Sequence, residues 1–138
     1  MKKILITGNS GYIGSHLSKL LEGEYEIYGL DLNNPQHPIQ SHRKHDIRQK
    51  LPANANTFDA IIHLAALTQV GESVNYPTAY YNTNINGTNW IRNIVKHKKF
   101  IFASTGSAEG MASPYSISKR VAEDMLIEQE PDCTIFRL

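Results

Sequence analysis

Lys3-Ile4-Leu5-Ile6-Thr7-Gly8-Asn9-Ser10-Gly11-Tyr12-Ile13-Gly14 is an apolar run broken by glycines at every third position. A strand that turns through glycines into a helix has this form. Gly8 allows the sharp turn, Gly11 lets the backbone approach a diphosphate with no Cβ in the way, and Gly14 lets the new helix pack closely on the sheet. The helix N-terminus then faces the anion with unpaired N–H groups and the positive end of its dipole. Neither lysine nor arginine occurs between Lys3 and Lys19, so these groups must supply the attraction.

Ile13, Leu17, Leu20 and Leu21 follow at helical spacing, and Tyr25-Glu26-Ile27-Tyr28-Gly29-Leu30 reads as a second strand ending at Asp31. Asp31 stands where an acid can accept hydrogen bonds from both hydroxyls of an adenosine ribose. It repels a 2′-phosphate, and Leu32, Asn33 and Asn34 bring no cation to reverse that preference. The expected cofactor is therefore NAD rather than NADP.

The chain has 138 residues, the size of one domain over 1–138, able to bury roughly two thirds of its unfolded surface. A formal charge of +1 gives no electrostatic argument for nucleic acid or an anionic membrane as partner. Lys96, Lys98 and Lys99 are expected at a helix end, where cations meet the negative end of the dipole. No apolar run reaches the ~18 residues of a membrane span, nor does a signal peptide follow Lys2-Lys3, so a cytoplasmic location is expected. Cys133 is the single cysteine and is expected to fill a strand beside Ile135 and Phe136. His37, His42 and His45 lack the cysteine or clustered carboxylates of a ligand set, and no metal site is expected.

Strand-like runs at Lys3–Thr7, Tyr25–Leu30, Asp59–Leu64, Lys99–Ser104 and Thr134–Leu138, with a short one near Arg43–His45, alternate with helical patterns at Tyr12–Leu21, Thr78–His97 and Tyr115–Glu130. The second helix carries Ile85, Ile91, Ile94 and Val95, the third Val121, Met125 and Leu126. This alternation predicts an α/β fold, a doubly wound parallel sheet of about six strands in the order 3-2-1-4-5-6 with helices on both faces. Asn33–His42, with two prolines, is expected to be a surface loop.

Tyr115-Ser116-Ile117-Ser118-Lys119 places a phenol and an ammonium one helical turn apart on one face. A nearby cation favours phenolate, which makes Tyr115 a candidate general base. The pair follows Ser104-Thr105 at the carboxyl end of the fifth strand, where ligands bind in open parallel sheets.

Together these residues resemble the extended short-chain dehydrogenase/reductase family, and within it the UDP-glucose 4-epimerase-like enzymes. The resemblance rests on Thr7-Gly8-x-x-Gly11-x-x-Gly14, Asp31, Asp46-Ile47-Arg48, His63-Leu64-Ala65-Ala66, Val70-Gly71-Glu72-Ser73-Val74, Asn84-x-x-Gly87-Thr88, Phe100-Ile101-Phe102-Ala103-Ser104-Thr105 and Tyr115-x-x-x-Lys119, in family order. It implies a Rossmann fold binding NAD through Gly8, Asn9, Ser10, Gly11, Tyr12, Ile13, Gly14 and Asp31, with Asp46 and Ile47 at the adenine. Leu64, Ala65 and Ala66 would line the route to the nicotinamide. It further implies that Lys119 binds the nicotinamide ribose and tunes Tyr115, that Tyr115 takes the proton from a sugar hydroxyl while Thr105 hydrogen-bonds the same hydroxyl and eases the proton's movement, and that Asn84 orders the active-site helix. The substrate class would be a UDP-sugar.

Two features depart from the family. Relatives continue into a second lobe that grips the nucleotide sugar, whereas this sequence stops at Phe136-Arg137-Leu138, and only Met111, Ala112, Ser113 and Pro114 separate Gly110 from Tyr115 where relatives carry a long segment. The expectation is a naturally reduced protein without that lobe, either a minimal epimerase or dehydratase-type oxidoreductase or a non-catalytic or partner-dependent NAD-binding module that has lost substrate binding. Glu109 and Thr68, near the expected pocket, differ from the residues of close epimerases. A homodimer through the helices near 78–97 and 115–130 is expected, with Ile135 and Phe136 on a strand that lacks an outer neighbour.

Overall fold

The structure is a computed structural model that describes residues 1–52 and 56–138. Six strands, β1 (Lys2–Thr7), β2 (Tyr25–Asp31), β3 (Ser41–Lys44), β4 (Phe58–His63), β5 (His97–Ser104) and β6 (Cys133–Arg137), form one parallel sheet in the order β3-β2-β1-β4-β5-β6. This is the predicted order. β1 is buried on both faces: Leu5 points to one side, and Ile4 and Ile6 to the other.

Helix α1 (Tyr12–Leu20) covers the Ile4, Ile6 and Ile27 side, against which Leu17 and Leu21 pack. Leu20 is exposed, and Ile13, the first residue of the apolar series, turns to the mouth of the sheet instead of the core. The opposite side holds the larger cluster, in which Leu5, Phe58, Ile61, Phe100 and Phe102 meet Ile91 and Val95 from one connection and Ala122 and Leu126 from α5 (Pro114–Gln129).

The connection from β4 to β5 departs from the single helix expected over Thr78–His97. It consists of α2 (Val70–Asn75), α3 (Pro77–Tyr81), a π-helical turn (Asn82–Gly87) and α4 (Thr88–Ile94). His97 already belongs to β5, and its Nδ1 hydrogen-bonds the Val95 carbonyl. Lys98 and Lys99 therefore do not cap a helix. Side chains of successive strand residues leave in opposite directions, and these two pair separately with Asp59 on β4 at 2.7 Å and with Asp132 before β6 at 2.9 Å.

Cys133 is half-buried on β6, and burial, with Glu130 and Asp132 nearby, pushes its thiol up to about 11, so it stays protonated and inert. Ile135 packs on the core while Phe136 is exposed. Among the described residues no helix is long and apolar enough to cross a membrane.

Candidate functional site

A cleft of about 650 Å³ opens at the carboxyl ends of β1, β2, β4 and β5. At its floor lies the glycine turn. Gly8 has φ +74°, and a Cβ there would stand 2.8 Å from the Ala65 amide nitrogen, so only glycine fits between the turn and the strand beside it. A Cβ on Gly14 would meet the Gly8 carbonyl oxygen at 2.2 Å, which forces glycine where α1 crosses the turn. Gly11, by contrast, has only the Gly8 carbonyl near its missing Cβ, at 3.4 Å. It forms the open side of a cradle, and no side chain caps α1 above it. A diphosphate fits this cradle, where unpaired amides and no cation face the space.

Asp31 ends β2 at the rim of the cleft. Its Oδ2 accepts the Ser10 N–H at 3.0 Å and its Oδ1 the Asn33 N–H at 2.9 Å, which fixes the carboxylate and leaves lone pairs for two further donors. Ser10 itself is buried and turned inward, its hydroxyl donating to the Asn33 carbonyl at 2.9 Å. Asn9 is also buried, its amide lying against Gly29 and 3.4 Å from His42 Nδ1. These two residues hold the turn from within, while Gly8, Gly11, Tyr12, Ile13 and Gly14 line the cleft.

Asp46 and Ile47 line the far end of the cleft. Arg48 grips the Asp46 carboxylate at 2.5 Å, and its hydrogen bonds hold that carboxyl below the ordinary range. Leu64, Ala65 and Ala66 form the wall between the glycine turn and the opposite end, where Thr105, Tyr115 and Lys119 stand.

Ser113 caps α5, accepting the Ser116 N–H at 3.1 Å, with Pro114 in the first turn. Tyr115 and Lys119 follow one turn apart. The ring of Tyr80, fully buried, meets the Tyr115 ring edge-on with centroids 6.4 Å apart. Lys119 is only 4% exposed, with its ammonium 4.3 Å from the centre of the Phe102 ring. Burial lowers it to about 8, an effect that Glu123 on the next turn opposes. Burial raises the Glu123 carboxyl, but the hydrogen bonds from Arg137, at 3.0 and 2.8 Å, together with Ser104 and the charges of Arg137 and Arg120, hold it below its usual value.

Thr105 accepts the Ser107 N–H at 3.3 Å at the start of a 3₁₀ turn (Gly106–Ala108). Asn84 does not line the cleft. It lies behind it, where its amide bonds both backbone groups of Leu67 at 2.9 Å and the Ser118 hydroxyl at 2.9 Å. Thr68 lines the cleft, whereas Glu109 extends outward with Arg137 at 4.0 Å. His37, His42 and His45 point to different partners, Glu22, Asn9 and the Gln49 carbonyl, and no group of metal-ligating side chains gathers among the described residues.

Residues 4–136 match the sequence profile of the NAD dependent epimerase/dehydratase family. The chain belongs to that family. It is 32% identical to UDP-glucose 4-epimerase 2 of Oryza sativa subsp. japonica, with all of the chain and 44% of the relative covered, and 33% identical to the UDP-glucose 4-epimerase of Yersinia pestis, with 89% and 47% covered. The solved UDP-Glc/GlcNAc 4-epimerase of Campylobacter jejuni superposes with a TM-score of 0.82 and 28% identity over 99% of the chain and 53% of that structure. This epimerase-family chain thus spans less than half the length of those two curated relatives.

The residues that sequence reasoning left without a role are those behind the cleft wall. Thr7, His63, Thr88 and Ser118 form buried hydrogen bonds that tie the glycine turn to α5. Three of the four lie inside the motifs that carry the family resemblance.

Proposed function

We propose that this chain holds NAD in the cleft and acts as a nucleotide-sugar epimerase or dehydratase-type oxidoreductase with Tyr115 as its base. The observation that carries the reading is that one cleft joins the glycine cradle and Asp31 at one end to Thr105, Tyr115 and Lys119 at the other. Bound there, NAD would supply the hydride acceptor and donor. Asp31 takes the adenosine ribose hydroxyls, Asp46 and Ile47 the adenine, and the amides above Gly11 the diphosphate. Leu64, Ala65 and Ala66 keep the path to the reacting end apolar. Lys119 would hold the nicotinamide ribose and lend positive charge to Tyr115, whose Oη would remove the proton from the substrate hydroxyl. The Thr105 hydroxyl hydrogen-bonds the same oxygen.

The UDP-sugar assignment draws on the relatives, all or most of this chain aligning with UDP-glucose 4-epimerases. The proposal includes a cytoplasmic homodimer assembled through the helical surface that carries exposed Trp90 and Val121. Light scattering at micromolar concentration tests the assembly, and a monodisperse monomer overturns it.

The deciding experiment is an NAD titration by calorimetry followed by UDP-galactose and UDP-glucose interconversion, with Tyr115→Phe in parallel. The variant is expected to bind NAD as the parent does and to lose at least about a hundredfold in turnover. Equal turnover removes the proposed base. NAD binding without turnover in either protein favours the non-catalytic module.

A further inference from the structure

His63 is the buried titratable group that this chemistry leaves unused. It ends β4 at 1% exposure, between the Phe100 and Phe102 rings, with centroids 5.8 and 6.0 Å away. Its Nδ1 lies 2.7 Å from Thr7 Oγ1 and its Nε2 2.9 Å from Thr88 Oγ1. What the two threonines do elsewhere fixes the direction of both bonds. Thr88 donates its only hydroxyl proton to the Asn84 carbonyl at 2.7 Å, so its oxygen accepts from His63, and Nε2 carries hydrogen. Burial, with the Lys119 ammonium nearby, lowers His63 to about 3, so the ring is uncharged at neutral pH and Nδ1 is bare. Nδ1 then accepts the Thr7 O–H. Thr7 Oγ1 in turn accepts the N–H groups of Leu64 and Ala65, each at 3.2 Å.

The donors run in one direction, with the Leu64 N–H shared between Thr7 Oγ1 and the Thr7 carbonyl at 3.1 Å. Leu64 and Ala65 donate to Thr7, Thr7 to His63, His63 to Thr88, and Thr88 to the carbonyl of Asn84 in the π turn. From Asn84 the bonds continue to Leu67 and to Ser118, whose hydroxyl donates to the Tyr115 carbonyl at 2.7 Å.

We propose that His63 is a positioning residue, locked as the Nε2–H tautomer, that couples the Leu64–Ala65 wall of the cleft to the π turn carrying Asn84 and so sets the dinucleotide wall and the Tyr115 helix relative to each other. Its consequence for catalysis rests on the functional reading above; the coupling itself does not. A π turn is a rare interruption of the helical ladder, and Thr88, oriented by His63, caps the Asn84 carbonyl inside it.

The test uses the cofactor-free chain labelled with ¹⁵N. Long-range proton–nitrogen correlation at pH 5–8 should show one histidine with a protonated Nε2 and a bare Nδ1 that does not titrate. A protonated Nδ1, or titration near the ordinary histidine value, overturns the proposal.

Two substitutions then separate the arms. His63→Asn places an acceptor where Nδ1 stood and removes the donor; His63→Gln places a donor where Nε2 stood and removes the acceptor. Amide hydrogen exchange at Leu67, held by Asn84, should rise about tenfold in His63→Asn while Ala65 changes less than about twofold, and the pattern should reverse in His63→Gln. Equal changes at both ends in both variants would reduce His63 to core packing and overturn the coupling. An NAD titration of the parent that shows no binding defeats the functional reading and leaves these two readouts untouched.

Discussion

At the scale of single residues, Lys119 shows what the site costs the fold. Its amine is 4% exposed and titrates near 8, whereas an unfolded lysine holds its proton to about 10.5. Between those values the unfolded chain binds more protons than the folded one, so stability rises with pH across that window and is lowest below it. The gap corresponds to about 3 kcal/mol of penalty at pH 7. Lys119→Met keeps the stem against Phe102 and removes the charge, and it should raise the unfolding free energy at pH 7 by about 1–3 kcal/mol while abolishing turnover. Urea denaturation at pH 7 and near pH 10.5 checks this: the advantage should shrink at the higher pH, and a less stable variant at pH 7 contradicts it. That Tyr115, Lys119, Thr105 and Asp31 line one cleft is legible in the sequence because each stands at a fixed spacing from a turn or strand end. The setting of His63 is not, because its partners lie 56 and 25 residues away and meet it only in the folded sheet.

At the scale of elements, the six strands lie within a residue or two of their expected bounds; apolar runs between turns leave little freedom in the others, whereas β3, Ser41–Lys44, has no apolar residue. The β4–β5 connection reads as one helix because Ile91, Ile94 and Val95 keep helical spacing and no proline interrupts 78–97. The break comes from Pro77, Asn82 to Asn86 and Gly87, whose effect depends on Asn84 finding Leu67 and Ser118. The inward tilt of Asn9 was equally hidden, for it depends on β2. A Cβ on Gly29 would stand 2.6 Å from the Asn9 amide group, so the absent side chain in β2 makes the room that the turn fills. Gly29→Ala alone should cost about 1–3 kcal/mol as overpacking. Asn9→Ala should be close to neutral, because it also removes a buried Oδ1 that lacks a partner. On the Asn9→Ala background the Gly29→Ala cost should largely vanish, giving a coupling above about 1 kcal/mol in a double-mutant cycle by urea denaturation. Additive effects would contradict the contact.

At the scale of the whole molecule, right-handed crossovers make the sheet order legible, and with it the place where the connections after β1 and β4 diverge and leave a crevice. The cleft there draws its walls from both halves of the sheet, with the glycine turn and Asp31 from β1 and β2, and Leu64, Thr105 and Tyr115 from β4, β5 and α5. A ligand that fills it binds only when both halves are folded, so it stabilises the entire cooperative unit and not one loop. At about a hundred times its dissociation constant, NAD should add about 2.7 kcal/mol, which for a chain of this size raises Tm by roughly 8–11 °C. On the proposed binding mode Asp31→Ala should take away most of that rise, whereas Tyr115→Phe should keep it, since the role proposed for the phenol is at the substrate hydroxyl and not at the diphosphate. NADP should raise Tm far less than NAD, since its 2′-phosphate meets the Asp31 carboxylate. Calorimetric melts of the three proteins with each dinucleotide measure this directly. Equal rises from NAD and NADP, unchanged in Asp31→Ala, would mean that the dinucleotide is held without the ribose acid and that the end of β2 does not select it.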